Sequence, residues 1–143
     1  MAGTKYGKYV ITNPLPITSM AHHIKGKKKS AEGAIYLNKD LVPETRIFSN
    51  IARTFAEPDP QPFIVPHKHD VDEVIYFLSM SPDGTLGCDV EFQLGDEGEK
   101  HTFNRTTLVY IPKGLTHCPI FYRNFQKDRQ FTLVSFLLQS DYY

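Results

Sequence analysis

The segment 86–94 constrains the fold most, because its side chains alternate between apolar and polar. Its apolar positions are Leu86, Cys88, Val90, Phe92 and Leu94. Successive side chains of a β-strand point to opposite faces, so this period of two predicts a half-buried strand with one polar face. Cys88 is then expected to pack as a small hydrophobic residue.

Further short strands are predicted on both sides of this segment, separated by turns rich in glycine and proline. They are expected at 34–42, 46–55, 74–78, 108–111 and 131–138. The sequence 81–84, Ser-Pro-Asp-Gly, favours a hairpin turn, and Gly-Asp-Glu-Gly at 95–98 favours a second turn. No stretch keeps the 3.6-residue period of an amphipathic helix. The prediction is an all-β fold, a β-sandwich or jelly-roll barrel.

Candidate metal-binding side chains lie just before the apolar run 74–78. His67 and His69 are one residue apart, which on a strand places both imidazoles on one face, about 6.6 Å apart. Glu73 has the same odd parity, so an extended or slightly bulged path returns its carboxylate to that face. A helix would point the two histidines apart. The segment 111–117, Ile-Pro-Lys-Gly-Leu-Thr-His, adds His117 directly after a Pro/Gly turn.

His-x-His-x-x-x-Glu followed by Pro-x-Gly-x-x-His resembles the two metal-binding motifs of the cupin superfamily. The resemblance covers roughly residues 45–138 and implies a whole cupin β-barrel. It also implies that His67, His69, Glu73 and His117 are the four protein ligands of one divalent metal ion. The surrounding block is also similar to a group of small stand-alone cupins.

Three neutral imidazoles and one carboxylate suit iron, manganese, nickel, cobalt or zinc without choosing among them. An octahedral ion would keep two positions for a substrate or for substrate and dioxygen, whereas a structural zinc would close its shell with four ligands. The favoured hypothesis is a metal-dependent enzyme acting on a small organic molecule, a dioxygenase-type oxidoreductase or a related lyase or isomerase. The alternative is a non-catalytic cupin that binds or senses a small ligand.

Three other side chains are candidates for substrate orientation or proton transfer, namely Arg53, Tyr76 and His101. Arg53 is at an odd position of the strand 46–55, as are its apolar neighbours, so its side chain is expected on their face. The favoured interpretation is a side chain that reaches solvent at the strand end, and the alternative is a cation inside the barrel that captures a carboxylate. His101 shares the parity of Phe103, which favours an inward-facing, hydrogen-bonded histidine over a catalytic base.

Residues 1–33 are expected to form an extended N-terminal arm, and residues 34–143 the cupin β-barrel domain. The arm is broken by prolines and is expected to pack on the barrel or on a partner subunit. His22 and His23 are adjacent and diverge on any extended path, so two exposed histidines are favoured over a shared metal site. The basic run 25–29 is interpreted as a solvated loop rather than a binding patch.

The balance of charges disfavours polyanionic partners, since lysine plus arginine and aspartate plus glutamate each number 16. We therefore expect neither nucleic acid nor a membrane surface as a partner. No apolar stretch reaches about 18 residues, so no transmembrane helix is predicted. The first residues lack an apolar signal-peptide region, which favours a cytoplasmic location.

The two cysteines and the last strand complete the sequence-based expectations. Cys88 and Cys118 form no C-x-x-C motif and are expected to be free thiols. Cys118 follows His117 directly, so on an extended segment it would point to the other face and is a poor candidate ligand for the same ion. The strand 131–138 is apolar on both sides and needs cover on its outer face, which predicts a homodimer.

Overall fold

The computed structural model describes residues 3–17 and 20–143. These residues form a short 3-10 helix, Gly7–Tyr9, and nine β-strands. No helix among them is long and apolar enough to cross a membrane. The strands are β1 (Leu15–Pro16), β2 (Ala31–Leu37), β3 (Phe48–Thr54), β4 (Glu73–Ser79), β5 (Thr85–Leu94), β6 (Glu99–Arg105), β7 (Thr107–Ile111), β8 (His117–Arg123) and β9 (Phe131–Leu137). The predicted all-β fold is confirmed.

The strands form two antiparallel sheets. One sheet has six strands in the order β1-β2-β3-β9-β4-β7, and the other has three in the order β6-β5-β8. Their inner faces meet in one apolar core, where Phe77 of β4 contacts Phe92 of β5 and Phe103 of β6 at ring distances of 6.2 and 5.1 Å. Fully burying a side chain of this size stabilises a fold by about 1.5–3 kcal/mol, so these contacts hold the two sheets together.

The alternation of β5 is borne out by burial. Leu86, Cys88, Val90 and Phe92 are all buried in the core. Cys88 therefore packs as a small hydrophobic side chain, and burial raises the pKa of its thiol to about 12. Both Cys88 and Cys118 are free thiols.

The turn at 81–84 differs from the hairpin predicted for it. β4 pairs with β7 and β9, whereas β5 pairs with β6 and β8, so this turn carries the chain from one sheet to the other. Turn residues determine the local backbone path, but pairing partners depend on strands distant in sequence. The turn at 95–98 does join a hairpin, β5 to β6.

The segment before β3 also differs from its prediction. β2 ends at Leu37 instead of extending to residue 42. The side-chain oxygen of Asn38 accepts the main-chain N–H groups of Asp40 and Leu41 at 3.1 and 3.2 Å, and this local turn takes the chain out of the sheet.

Several N-terminal residues lie against the barrel. β1 pairs with β2, and β2 runs through the boundary expected between residues 33 and 34. Farther along, Ile24 donates its main-chain N–H to Phe63 at 2.7 Å, and Val65 donates to His22 at 2.9 Å. These bonds hold the segment 22–24 beside the strand-like stretch that leads into the candidate metal ligands.

The outer face of the six-stranded sheet is apolar over β9, β4 and the edge strand β7. Glu73, Ile75 and Phe77 of β4 are buried, so the intervening residues of β4 point outward. The pairing register places six outward side chains together, namely Val74, Tyr76, Leu108, Tyr110, Val134 and Phe136. No described element of the chain covers Leu108, Tyr110 or Phe136, which are 45, 55 and 39% exposed.

Candidate metal centre

Four potential metal ligands converge at one end of the barrel. A ligand atom from each of His67, His69, Glu73 and His117 lies within 4.8 Å of the others. One oxygen of Glu73, Oε2, is 3.3 Å from Nε2 of His69 and 3.0 Å from Nε2 of His117. The four residues are only 9, 5, 4 and 1% exposed, respectively. The structure therefore brings together the four side chains that the sequence pattern singled out.

All three imidazoles are oriented by main-chain oxygen atoms. The Nδ1 atoms of His67, His69 and His117 donate to the main-chain oxygens of Val65, Tyr143 and Leu115 at 2.7, 2.5 and 3.0 Å. These oxygens act as acceptors, so each Nδ1 carries the proton of the neutral ring. Each Nε2 therefore carries a lone pair instead of a proton, and hydrogen bonding at the other nitrogen is how metal-binding histidines are usually held.

The atoms that face one another at the centre of the cluster are hydrogen-bond acceptors without a donor between them. His69 Nε2, His117 Nε2 and Glu73 Oε2 are buried and have no hydrogen-bond partner among the described residues. Burial lowers the pKa of His67 to about 3 and also lowers the pKa of His69, which favours the neutral form of each ring. A buried carboxylate facing imidazole lone pairs is unfavourable unless a cation lies between them. The residues present therefore fit a divalent metal ion.

Main-chain pairing sets the distance between the two halves of the cluster. His67 and His117 exchange N–H···O bonds of 3.1 and 2.9 Å, which makes a single antiparallel bridge. Gly114 donates to the carbonyl oxygen of His69 at 2.9 Å from a turn in which its φ is +80°. This left-handed conformation favours glycine, which explains the glycine in the second motif.

Asp72 links the two motifs from the outside. Its carboxylate accepts from the Lys113 N–H and the Tyr110 hydroxyl, both at 2.8 Å. The stretch from His67 to Asp72 is irregular, since β4 begins only at Glu73. The ligands therefore converge through a loop held by these bonds, rather than through the regular strand parity used to predict them.

The arm supplies two histidines to this site, contrary to the expectation that they are exposed. The ring of His22 stacks on that of His67 at 4.2 Å, with an angle of 6° between the planes. The φ of His22 is +67°, a left-handed conformation that breaks the extended path assumed for this pair. His23 lines a small cavity that borders the metal ligands, and burial lowers the pKa of its imidazole.

Tyr142 is a site residue that sequence reasoning missed. Its hydroxyl lies 3.3 Å from Nε2 of His67, and its ring contacts that of His69 at 5.2 Å. Because His67 Nε2 carries no proton, the tyrosine donates this bond. No sequence signal marks Tyr142, which lies beyond the last strand and 75 residues from His67.

Two adjoining cavities lead away from the ligands. The inner cavity, of about 40 Å³, is bordered by His67, Glu73 and His117. The outer cavity, of about 550 Å³, lies between the arm and the barrel. Their shared wall consists of Met20, His23, Asn50, Ile64 and Leu133. The ligand cluster thus borders a small cavity that shares part of its lining with a larger one.

The three other candidate residues lie away from the ligands. On β3 the cavity-lining side chains are at even positions, Asn50, Ala52 and Thr54, so the odd-numbered Arg53 points outward. There it donates to Glu32 at 2.9 Å on the surface. Tyr76 lies on the outer face of the large sheet.

His101 is exposed, not inward-facing as its parity indicated. Its Nε2 lies 2.6 Å from a carboxylate oxygen of Glu99, on a strand with six exposed residues out of seven. β6 is an edge strand of the three-stranded sheet, and edge position overrides the alternation.

Cys118 borders the inner cavity together with His117. Its φ is +71°, so the backbone is not extended here and neighbouring side chains need not diverge. Its sulfur is nevertheless not a member of the ligand cluster. Burial raises the pKa of this thiol well above its usual value.

No protein-family model matches the sequence, and no curated protein does either. Solved structures do resemble it. The polyketide cyclase RemF from Streptomyces resistomycificus aligns with a TM-score of 0.54 and 14% identity, covering 89% of this chain and 73% of that one. The iron(II) form of HppE aligns with a TM-score of 0.51 and 8% identity, covering 80% and 54%. A variant of oxalate decarboxylase from Bacillus subtilis gives 0.50 and 13%, covering 87% and 29%.

This chain thus spans about half the length of HppE and under a third of the oxalate decarboxylase chain. At these identities the likeness concerns the fold, and the structures it matches are cupin-fold proteins. The two antiparallel sheets, the topology and the His/Glu cluster agree with the motif resemblance. The chain has the cupin fold, and it carries a three-histidine, one-glutamate cluster suited to a divalent metal ion.

Proposed function

We propose that this protein is a metal-dependent enzyme acting on a small organic molecule, of the dioxygenase type or a related lyase or isomerase. One observation carries the proposal: three lone-pair nitrogens and a carboxylate, all buried, converge beside a cavity. His67, His69, Glu73 and His117 would hold the ion. When bound, the ion would act as a Lewis acid toward oxygen atoms of the substrate and, if it were iron(II), would permit dioxygen chemistry.

The surroundings of the site favour a catalytic metal ion over a purely structural one. A structural metal is normally enclosed by packed protein and closed by its four ligands. Here the inner cavity adjoins three of the ligand residues. An octahedral ion with four protein ligands retains two positions, and the cavity is where a bidentate substrate would reach them.

Groups of this chain could orient a substrate and hold a proton. The hydroxyl of Tyr142, 3.3 Å from His67 Nε2, can donate a hydrogen bond to an anionic oxygen atom. His23, whose pKa is lowered by burial, lines the inner cavity and could exchange a proton with a bound molecule. The Ser135 hydroxyl donates to the side-chain oxygen of Asn50, which fixes the Asn50 side chain at the boundary of the two cavities.

The fold does not select the reaction, since the solved structures that resemble this chain include a cyclase and a decarboxylase. The alternative function is a non-catalytic module that binds or senses a small ligand through the metal. The inner cavity has a volume of only about 40 Å³, which leaves little room for an organic substrate beside the ion. This small volume favours the alternative.

Two measurements test the proposal. Element analysis of protein purified without chelator or affinity-metal contact should find about one divalent ion per chain. Catechol and a 2-oxo acid, added to the iron(II) form, should perturb its absorption spectrum, and dioxygen uptake would support the oxygenase type. A full equivalent of metal that no probe perturbs at millimolar concentration would favour the binding module. Absence of metal would refute both functions.

A further inference from the structure

The outer cavity has a cationic end that the metal site does not explain. Three lysines, Lys25, Lys28 and Lys29, contribute to its wall, and no aspartate or glutamate is among the described residues that line it. Lys29 is paired with Glu32 at 2.5 Å. Lys25 and Lys28 have no ion-pair partner among the described residues. In a chain with no net charge, this local excess creates a field that attracts anions.

Lys28 and Lys29 lie toward the end of the cavity remote from the metal ligands, whereas Lys25 is two residues from His23, which borders both cavities. Asn50 borders both cavities, whereas Thr54, four residues along β3, borders only the outer one. Thr54 is paired with Ala31, which follows the basic run almost directly. At about 3.3 Å per residue, Asn50 and Thr54 are roughly 13 Å apart. A molecule spanning the cavity would therefore be elongated.

The wall between the two ends is mostly apolar. It includes Ile17, Ile24, Ala52, Phe63 and Leu133. Tyr122 also lines the cavity, and its buried hydroxyl has no hydrogen-bond partner among the described residues. The wall between the two ends therefore offers a mainly apolar surface to a bound molecule.

We infer that the outer cavity binds an elongated organic anion, with an apolar body along β3 and its anionic group at Lys25 and Lys28. This inference rests on the proposed function, since it describes the substrate or ligand of the same site. It also gives the basic run a role other than the solvated loop expected from the sequence.

The test compares an anion with its neutral counterpart in metal-free protein. Octanoate and 1-octanol have the same apolar chain, and without metal the carboxylate can be bound only by protein groups. In calorimetric titrations at low salt we expect octanoate to bind about fivefold more tightly, because two exposed cations each contribute a small attraction. This preference should shrink in 0.5 M salt.

Two matched double variants identify the groups responsible. Lys25→Gln/Lys28→Gln should abolish the preference for octanoate. Lys27→Gln/Lys127→Gln removes the same charge from positions that do not line the cavity and should retain it. Equal affinity for both probes, no binding of octanoate at millimolar concentration, or equal loss in both variants would overturn the inference. Element analysis of the protein before chelation tests metal binding separately. A failure of the proposed function can therefore be told apart from a failure of this inference.

Discussion

Removing two of the four candidate ligands should abolish metal binding and leave the fold intact. His69 and His117 supply two Nε2 atoms next to Glu73, at 3.3 and 3.0 Å from Oε2. Neither belongs to the apolar core cluster formed by residues such as Phe77 and Phe92. The variant His69→Ala/His117→Ala should therefore fold as a β-protein without stoichiometric metal.

The size of the effect follows from linkage between binding and folding. A metal present at a thousandfold excess over its dissociation constant stabilises the native state by about 4 kcal/mol. For a domain of this length, 1 kcal/mol shifts the melting temperature by roughly 3–5 °C. The wild type should thus melt roughly 12–20 °C higher with metal than with chelator. The double variant should show no such shift, although its cavities should cost it about 1–3 kcal/mol in either condition.

The assay combines element analysis with thermal melts monitored by circular dichroism. His101→Ala is a suitable control, because this histidine is exposed and lies away from the cluster. It should keep one metal ion per chain and the full metal-dependent shift. A double variant that retains a full equivalent of metal would refute the site assignment. A double variant that cannot fold would instead mark the ion as structural. It would then weaken the argument that the ion keeps open coordination positions for a substrate.

Three further predictions concern single groups. Tyr142→Phe should keep the metal but weaken catechol binding by about 0.5–1.5 kcal/mol, since one hydrogen-bond donor beside His67 is lost; unchanged affinity in titrations would contradict a role at the site. If the exposed outer face of the large sheet is a dimer interface, Phe136→Asp should yield monomer or aggregate, and light scattering that shows a wild-type monomer at micromolar concentrations would exclude the dimer. Burial raises the thiol pKa of Cys88 to about 12 and that of Cys118 well above its usual value. Neither should react with a thiol reagent at pH 8 until the protein is unfolded, because the thiolate is the reactive form, and fast labelling of native protein would refute this burial.

Much of the fold could be predicted because it depends on local patterns. The alternation in β5 and the Gly-rich turn after it are properties of adjacent residues, and both appear as expected. Strand pairing is not local, which is why the turn at 81–84 joins two sheets instead of closing a hairpin. Parity also fails at edges, where His101 is exposed on an edge strand with six exposed residues out of seven.

The sequence by itself identified the four side chains that converge, because two motifs with fixed spacing carried them. Whether they bind an ion remains a prediction. Only the tertiary structure showed what surrounds them. His22 reaches His67 through a left-handed residue, and Tyr142 reaches it from 75 positions away. Such contacts depend on how distant segments pack, and no periodicity within either segment records that packing. The same packing places the basic run 25–29 at a cavity that no linear pattern could reveal.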